Sequence, residues 1–218
     1  MRQHYIICII AIVLGLVSCD NHEKYDTSIR VGYILCDDHS CMDIESYCKQ
    51  DEKKATGVIF AEATEDHPAL AVNIKEIEGQ FCDSLGMSNG TSCDEEAYDG
   101  FTNTISMQHS YDKETDHGSP IAMSMLNFHA NGQSNYIPSL TEMRLLIISA
   151  KAINPIIQRC GGTPIDTTGD CWYWTSTEVK EDSSIQAWLC SSVRGGKMPT
   201  KKDEAHKVRA IFQYVTSE

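Results

Sequence analysis

At 218 residues the chain has room for one well-buried domain, with at most a small subdomain beside it. Its formal net charge of −13 speaks against nucleic acid or anionic lipid as a partner, since both would be repelled. Beyond the N-terminus no segment approaches the ~18 consecutive apolar residues of a membrane-spanning helix.

The N-terminus carries Arg2 and then a thirteen-residue apolar run, "YIICIIAIVLGLV", too short to span a bilayer and of the right length for a signal-peptide core. The run leads into Leu16-Val17-Ser18-Cys19, which resembles the lipobox of bacterial lipoproteins. The resemblance implies removal of residues 1–18 and lipidation of Cys19, with the membrane reached through that lipid only. It places the protein at the outer membrane or cell surface of a Gram-negative bacterium. The alternative is an ordinary cut near Ser18, with Cys19 an incidental thiol. Residues 19–30 read as a polar tether. Loss of Arg2 with the leader takes the charge to −14. Of ten cysteines, eight then remain: Cys36, Cys41, Cys48, Cys82, Cys93, Cys160, Cys171 and Cys190. An even count in an oxidising compartment predicts disulfides. Cys82–Cys93 and Cys160–Cys171, each closing a glycine-containing loop, are the first pairings expected, and the connectivity of the other four stays open.

In chain order, "VGYIL" (31–35) reads as a strand that stops at Asp37-Asp38. "ATGVIFAEA" and "ALAVNI" flank a Pro68 turn and read as a hairpin. Residues 79–118 are poor in apolar side chains and are expected to form a long surface loop with a short helical turn. Ser119-Pro120 opens a helix near 120–130, which Asn131-Gly132 stops. Ser139-Leu140-Thr141-Glu142 is a capping box, and Leu140, Met143, Ile147 and Ala150 continue it as an apolar stripe. Asn154-Pro155 is expected to restart a short second helix, ended by Gly161-Gly162. "CWYWTSTE", "AWLCSSV" and "KVRAIFQYV" (207–215) complete the chain as strands, the last two separated by a Gly195-Gly196 turn. Strands, then helices, then strands is an α+β order.

Several of these segments together resemble the Lcl-C-like domain of bacterial surface lipoproteins. They are Ile137-Pro138-Ser139 with Glu142 and Met143, then Tyr173 to Glu178, Ala187-Trp188, and Val208-Arg209. The match covers about 137–213. It implies a C-type-lectin-like fold, with two helices packed on a small, mostly antiparallel, disulfide-stabilised sheet. Residues 31–218 would form that single domain, beginning with an N-terminal strand extension. The Glu-Pro-Asn and Trp-Asn-Asp triplets of calcium-dependent lectins are absent, so the resemblance does not carry calcium-mediated sugar binding with it.

The candidate ligand-facing residues are Trp172, Tyr173, Trp174, Trp188, Arg194 and Lys197. The competing reading makes Trp174 and Trp188 core. The polar stretches 179–186 and 194–206 are expected as loops dispensable to the core, with Lys197, Lys201 and Lys202 as mobile cations on the second. Glu142 and Arg209 read more simply as a cap and a structural ion pair than as catalytic groups. "CDDHSCMD" (36–43) could hold a metal, yet reads better as a turn, and no metal or cofactor is expected. With no nucleophile motif either, no enzymatic activity is expected. The leading expectation is a surface-anchored protein that binds a glycan or another protein. The alternative is a structural or tip subunit of a surface filament. Arg30, directly before "VGYIL", motivates it, because some lipoprotein pilins mature by a cut after a basic residue.

Overall fold

The computed structural model describes residues 29–130 and 133–214. The leader, Cys19 and most of the tether lie outside these residues, as do Asn131-Gly132 and the last four positions. The chain begins with β1 (Ile34–Cys36), β2 (Cys41–Met42), the short α1 (Ile44–Tyr47), β3 (Ala55–Ala61) and β4 (Ala69–Asn73), followed by β5 (Ile77–Gln80). Helices α2 (Gly100–His109) and α3 (Pro120–Met125) follow, then the small hairpin β6 (His129–Ala130) and β7 (Gln133–Ser134), and the long helix α4 (Leu140–Arg159). Strands β8 (Trp172–Glu178), β9 (Gln186–Ser191), β10 (Lys197–Lys201), β11 (Ala205–Val208) and β12 (Ile211–Tyr214) close the chain.

These strands build two five-stranded sheets. The first is antiparallel in the order β12-β4-β3-β1-β2, and the second runs β10-β9-β8-β11-β5, with only β8 and β11 parallel. The apolar runs in β3 and β4 are continuous because both faces of the first sheet are covered. Val58, Phe60, Leu70 and Val72 point to one side, where they meet Met143, Leu146, Ala150 and Ile153 of α4. Ile59 and Ala71 point to the other and meet Leu35 and Phe212. Gly57 allows this packing, since a Cβ there would come within 2.5 Å of the Phe212 ring. The strand β8 divides its side chains in the same way. Tyr173 joins the α4 core, while Trp174 lies in a second core with Phe81, Met107, Ile121 and Leu189.

The helices follow their caps. Ser139 accepts from the Glu142 amide while the Glu142 carboxylate accepts from Ser139 N, which completes the capping box. α4 does not break at Pro155 but continues to Arg159. Its last turn is held from outside, since the Asn154 side chain donates to Ile165 O and accepts from Ile165 N. Burial of Ile153 and Ile157, worth roughly 1.5–3 kcal/mol each, fixes the same turn. Ser119 caps α3 as expected, with its oxygen accepting from Ala122 N.

This architecture corrects the lectin-like expectation. Residues 34–73 are no strand extension on a small sheet; with β12 they are an entire second layer. Nor is the fold disulfide-stabilised, for no disulfide joins any pair of the eight described cysteines. Cys82 is buried beside the Asn89 amide nitrogen, 3.6 Å away. Cys160 closes α4 near Cys36 and Cys48; burial, together with those neighbouring thiols, pushes it up to about 11. Cys171 instead leads into β8. The stretch 194–206, expected as a loop dispensable to the core, instead holds β10 and the start of β11. The expected loop 79–118 contains the ten-residue α2.

Candidate functional site

The β9–β10 hairpin forms one edge of the second sheet, and its register places Pro199 opposite Trp188 and Lys197 opposite Cys190. These pairs share the face that looks toward α4, where Trp188 packs half-buried against the core. The Lys197 ammonium sits 4.2 Å from the Trp188 ring centroid, a cation–π contact, and is also ion-paired with Glu95. Gly195 turns the hairpin with φ +64°, and its carbonyl accepts from Arg144 Nε at 3.2 Å. Arg144 also faces Glu96 at 3.9 Å. Arg194 lies in the same turn and is exposed. Pro199, Lys197 and Lys201 on this edge discourage a further strand from pairing with it.

Of the six candidate ligand residues, the fold therefore brings together Trp188, Lys197 and Arg194. Tyr173 and Trp174 are fully buried on opposite faces of β8. The Trp174 indole donates to Gly79 O at 3.1 Å and meets Phe81 and His206 edge-on. Trp172 is half-buried and packs with the same core as Trp174. The "CWYWTSTE" aromatics thus hold two cores apart and do not line a shared platform. Glu95, Glu96 and Arg144 complete the hairpin face. None is visible as a site in the sequence, although two acidic residues in a loop and a lysine-rich hairpin are complementary in charge.

A second polar cluster lies wholly inside. Lys202, expected as a mobile surface cation, is 0% exposed, as is Glu178 at the end of β8. The two are ion-paired, and the Lys202 ammonium also donates to Asn89 Oδ1 at 2.9 Å and Met87 O at 3.2 Å. Glu178 further accepts from the backbone of Asn89 (2.8 Å) and Thr91 (3.2 Å), and from the Ser88 and Thr91 hydroxyls. A charged pair this dry is tolerable only with every lone pair and proton engaged, and here the 87–91 loop engages them. The sequence signal is the strand period: Thr200 and Lys202 are buried and Lys201 between them is exposed.

Arg209 and Glu142 are buried too. Among the described residues Arg209 has no ion-pair partner; it donates to Thr163 O, and burial lowers its pKa. It sits where the chain leaves the second sheet and enters the first. Glu142 accepts from Ser139 N and from the Tyr136 hydroxyl at 3.0 Å, and burial raises its carboxyl to about 7. The 36–43 segment contains the turn of the β1–β2 hairpin, where Asp38 accepts from the Ser40 hydroxyl and pairs with Lys53. Among the described residues no group of three or more His, Cys, Asp or Glu is arranged to hold a metal ion. A separate groove of about 340 Å³ is lined by Asp37, Lys54, Asn73, Lys75, Asn127 and Phe128, among others.

No protein-family model matches the chain, and none of the curated proteins does. Among solved structures, the fold is similar to that of a fimbrial protein from Bacteroides ovatus ATCC 8483, with a TM-score of 0.64 at 12% identity. The likeness covers 85% of this chain and 49% of the other, so the chain spans about half the length of the fimbrial protein it matches.

Proposed function

We propose that the protein is a non-catalytic subunit or tip component of a surface filament, carried on the envelope of a Gram-negative bacterium. The observation that carries this reading is the fold shared with a fimbrial protein over 85% of the chain. It favours an assembling protein over the lectin-like ligand-binding domain that the sequence motifs led us to expect. Its partners are then other envelope proteins, in the first place filament subunits.

Two features support the finer steps. The lipobox at Cys19 would deliver the chain to the membrane as a lipoprotein. Arg30, at an exposed turn closed by Tyr33 N donating to Arg30 O at 3.1 Å, would then offer a cut that frees it. Val31 beyond that bond is 39% exposed, whereas Ile34 in β1 is fully buried. A cut after Arg30 would leave the first sheet intact. Intact-mass measurement of the protein sheared from cells tests this reading. A mature form beginning at Val31 is expected. A population made only of lipidated chains beginning at Cys19 would favour the anchored binding protein instead.

A further inference from the structure

We propose that Lys202 and Asn89 become joined by an intramolecular amide bond, formed without an external enzyme and with Glu178 as the proton carrier. Three side chains with the required chemistry meet in one dry site. Lys202 and Glu178 are 0% exposed and Asn89 is 1% exposed. The Lys202 nitrogen lies 2.9 Å from Asn89 Oδ1, so the carboxamide carbon is its neighbour, and Glu178 Oε1 contacts that same nitrogen. The carboxamide is held from its other end by Nδ2 donating to Ser110 Oγ at 2.7 Å. The fully buried Phe81 ring covers the site, 5.3 Å from the Lys202 nitrogen.

The chemistry follows from the dryness. Away from bulk solvent, an ion pair is held at a high desolvation penalty, and passing one proton from the ammonium to Glu178 leaves a neutral acid and a neutral amine. The amine is then a nucleophile fixed against a carbonyl, with the orientation already set by the fold. Its lone pair attacks Asn89 Cγ and a C–N bond forms. A second proton leaves the lysine nitrogen and reaches Nδ2 through the Glu178 carboxyl group. The Cγ–Nδ2 bond breaks, and ammonia departs as ammonium, taking the first proton and restoring the Glu178 carboxylate. No oxidant, reductant or cofactor enters the balance. The product ties positions 113 residues apart in the chain. In a subunit under tension, load entering before Asn89 and leaving after Lys202 would bypass everything between them.

Tryptic mapping of the protein purified from its own cells, denatured before digestion, tests the bond. The expected result is a branched species joining residues 76–113 to residues 202–207, lighter than the sum of the two peptides by one ammonia, about 17 Da. Cleavage after Lys202 should be absent. The variant Glu178→Gln should yield only the two linear peptides, with cleavage after Lys202 restored. Linear peptides from the wild-type protein would overturn the proposal. So would loss of ammonia from 76–113 without a branch, which marks a succinimide at Asn89-Gly90, and so would a branched species from Glu178→Gln. If that variant fails to fold, the wild-type map still decides whether the bond exists.

Discussion

Glu142 keeps its proton to about pH 7 in the fold, because burial outweighs the hydrogen bonds it accepts from Ser139 and Tyr136. An unfolded glutamate releases its proton near 4.5. Between these values the unfolded state binds fewer protons than the folded one, so this group makes the fold less stable as pH rises from about 4.5 to 7. The full effect, present above about pH 7, is roughly 3 kcal/mol. Glu142→Gln keeps an acceptor for the cap and removes the titration. Its unfolding free energy should fall less than that of the wild type between pH 5 and 7.5, and parallel denaturant curves would show otherwise. Gly57 makes a different demand, because a methyl group there meets the Phe212 ring and comes within 2.9 Å of Val72 O. Gly57→Ala should cost about 1–3 kcal/mol, read as a lowered melting temperature. By contrast Lys197→Ala removes a partly exposed ion pair and should change stability by under about 1 kcal/mol. The contrast between Lys197 and Lys202 also shows what a sequence hides. Both sit in one lysine-rich stretch, and only the strand's alternation, together with a partner 24 residues away, sends Lys202 inward.

The β9–β10 hairpin decides how dispensable its outer strand is. β10 pairs with β9 over five residues, and Thr200 and Lys202 behind it are buried. Replacing 196–203 with a short Gly-Ser link would remove that strand and leave Glu178 buried without its cation, a loss of about 3–5 kcal/mol from the charge alone. The shortened protein should unfold cooperatively at a much lower temperature. An unchanged melting curve would show that the hairpin is peripheral. Legibility differed between elements for a physical reason. α4 was readable because its capping box and apolar stripe are local, and the β3–β4 hairpin because its turn and apolar runs are adjacent. The join at Pro155 was not, since tertiary contacts at Asn154, Ile153 and Ile157 override the local tendency to break. α2 was missed because the side it buries consists of Gly100, Asn103, Thr104 and Met107, mostly small or polar residues. Its inward side chains form hydrogen bonds: Asn103 accepts from Ser92 N, and Thr104 accepts from Ile137 N.

At the scale of the molecule, the strands were largely visible but their partners were not. The chain visits the first sheet, crosses at residues 74–76 into the second, and returns through Arg209-Ala210 to lay β12 beside β4. A strand's own residues say that it is buried, and nothing in "KVRAIFQY" says that Lys207 and Val208 belong to one sheet and Ile211–Tyr214 to the other. The same limit explains why motifs at 137–213 pointed to a small lectin-like sheet: they describe β8, β9 and α4 well and are silent on the layer built mostly before them. The candidate site was legible only in part, as Trp188, Lys197 and Arg194 meet on one hairpin while Glu95, Glu96 and Arg144 arrive from distant segments. That the whole serves as a filament subunit is tested most directly by immunogold electron microscopy of intact cells, using antibody against the 31–214 region. The account predicts gold along or at the ends of filaments extending from the surface, lost when the gene is deleted. Gold confined to the membrane plane, with filaments unlabelled, would contradict it.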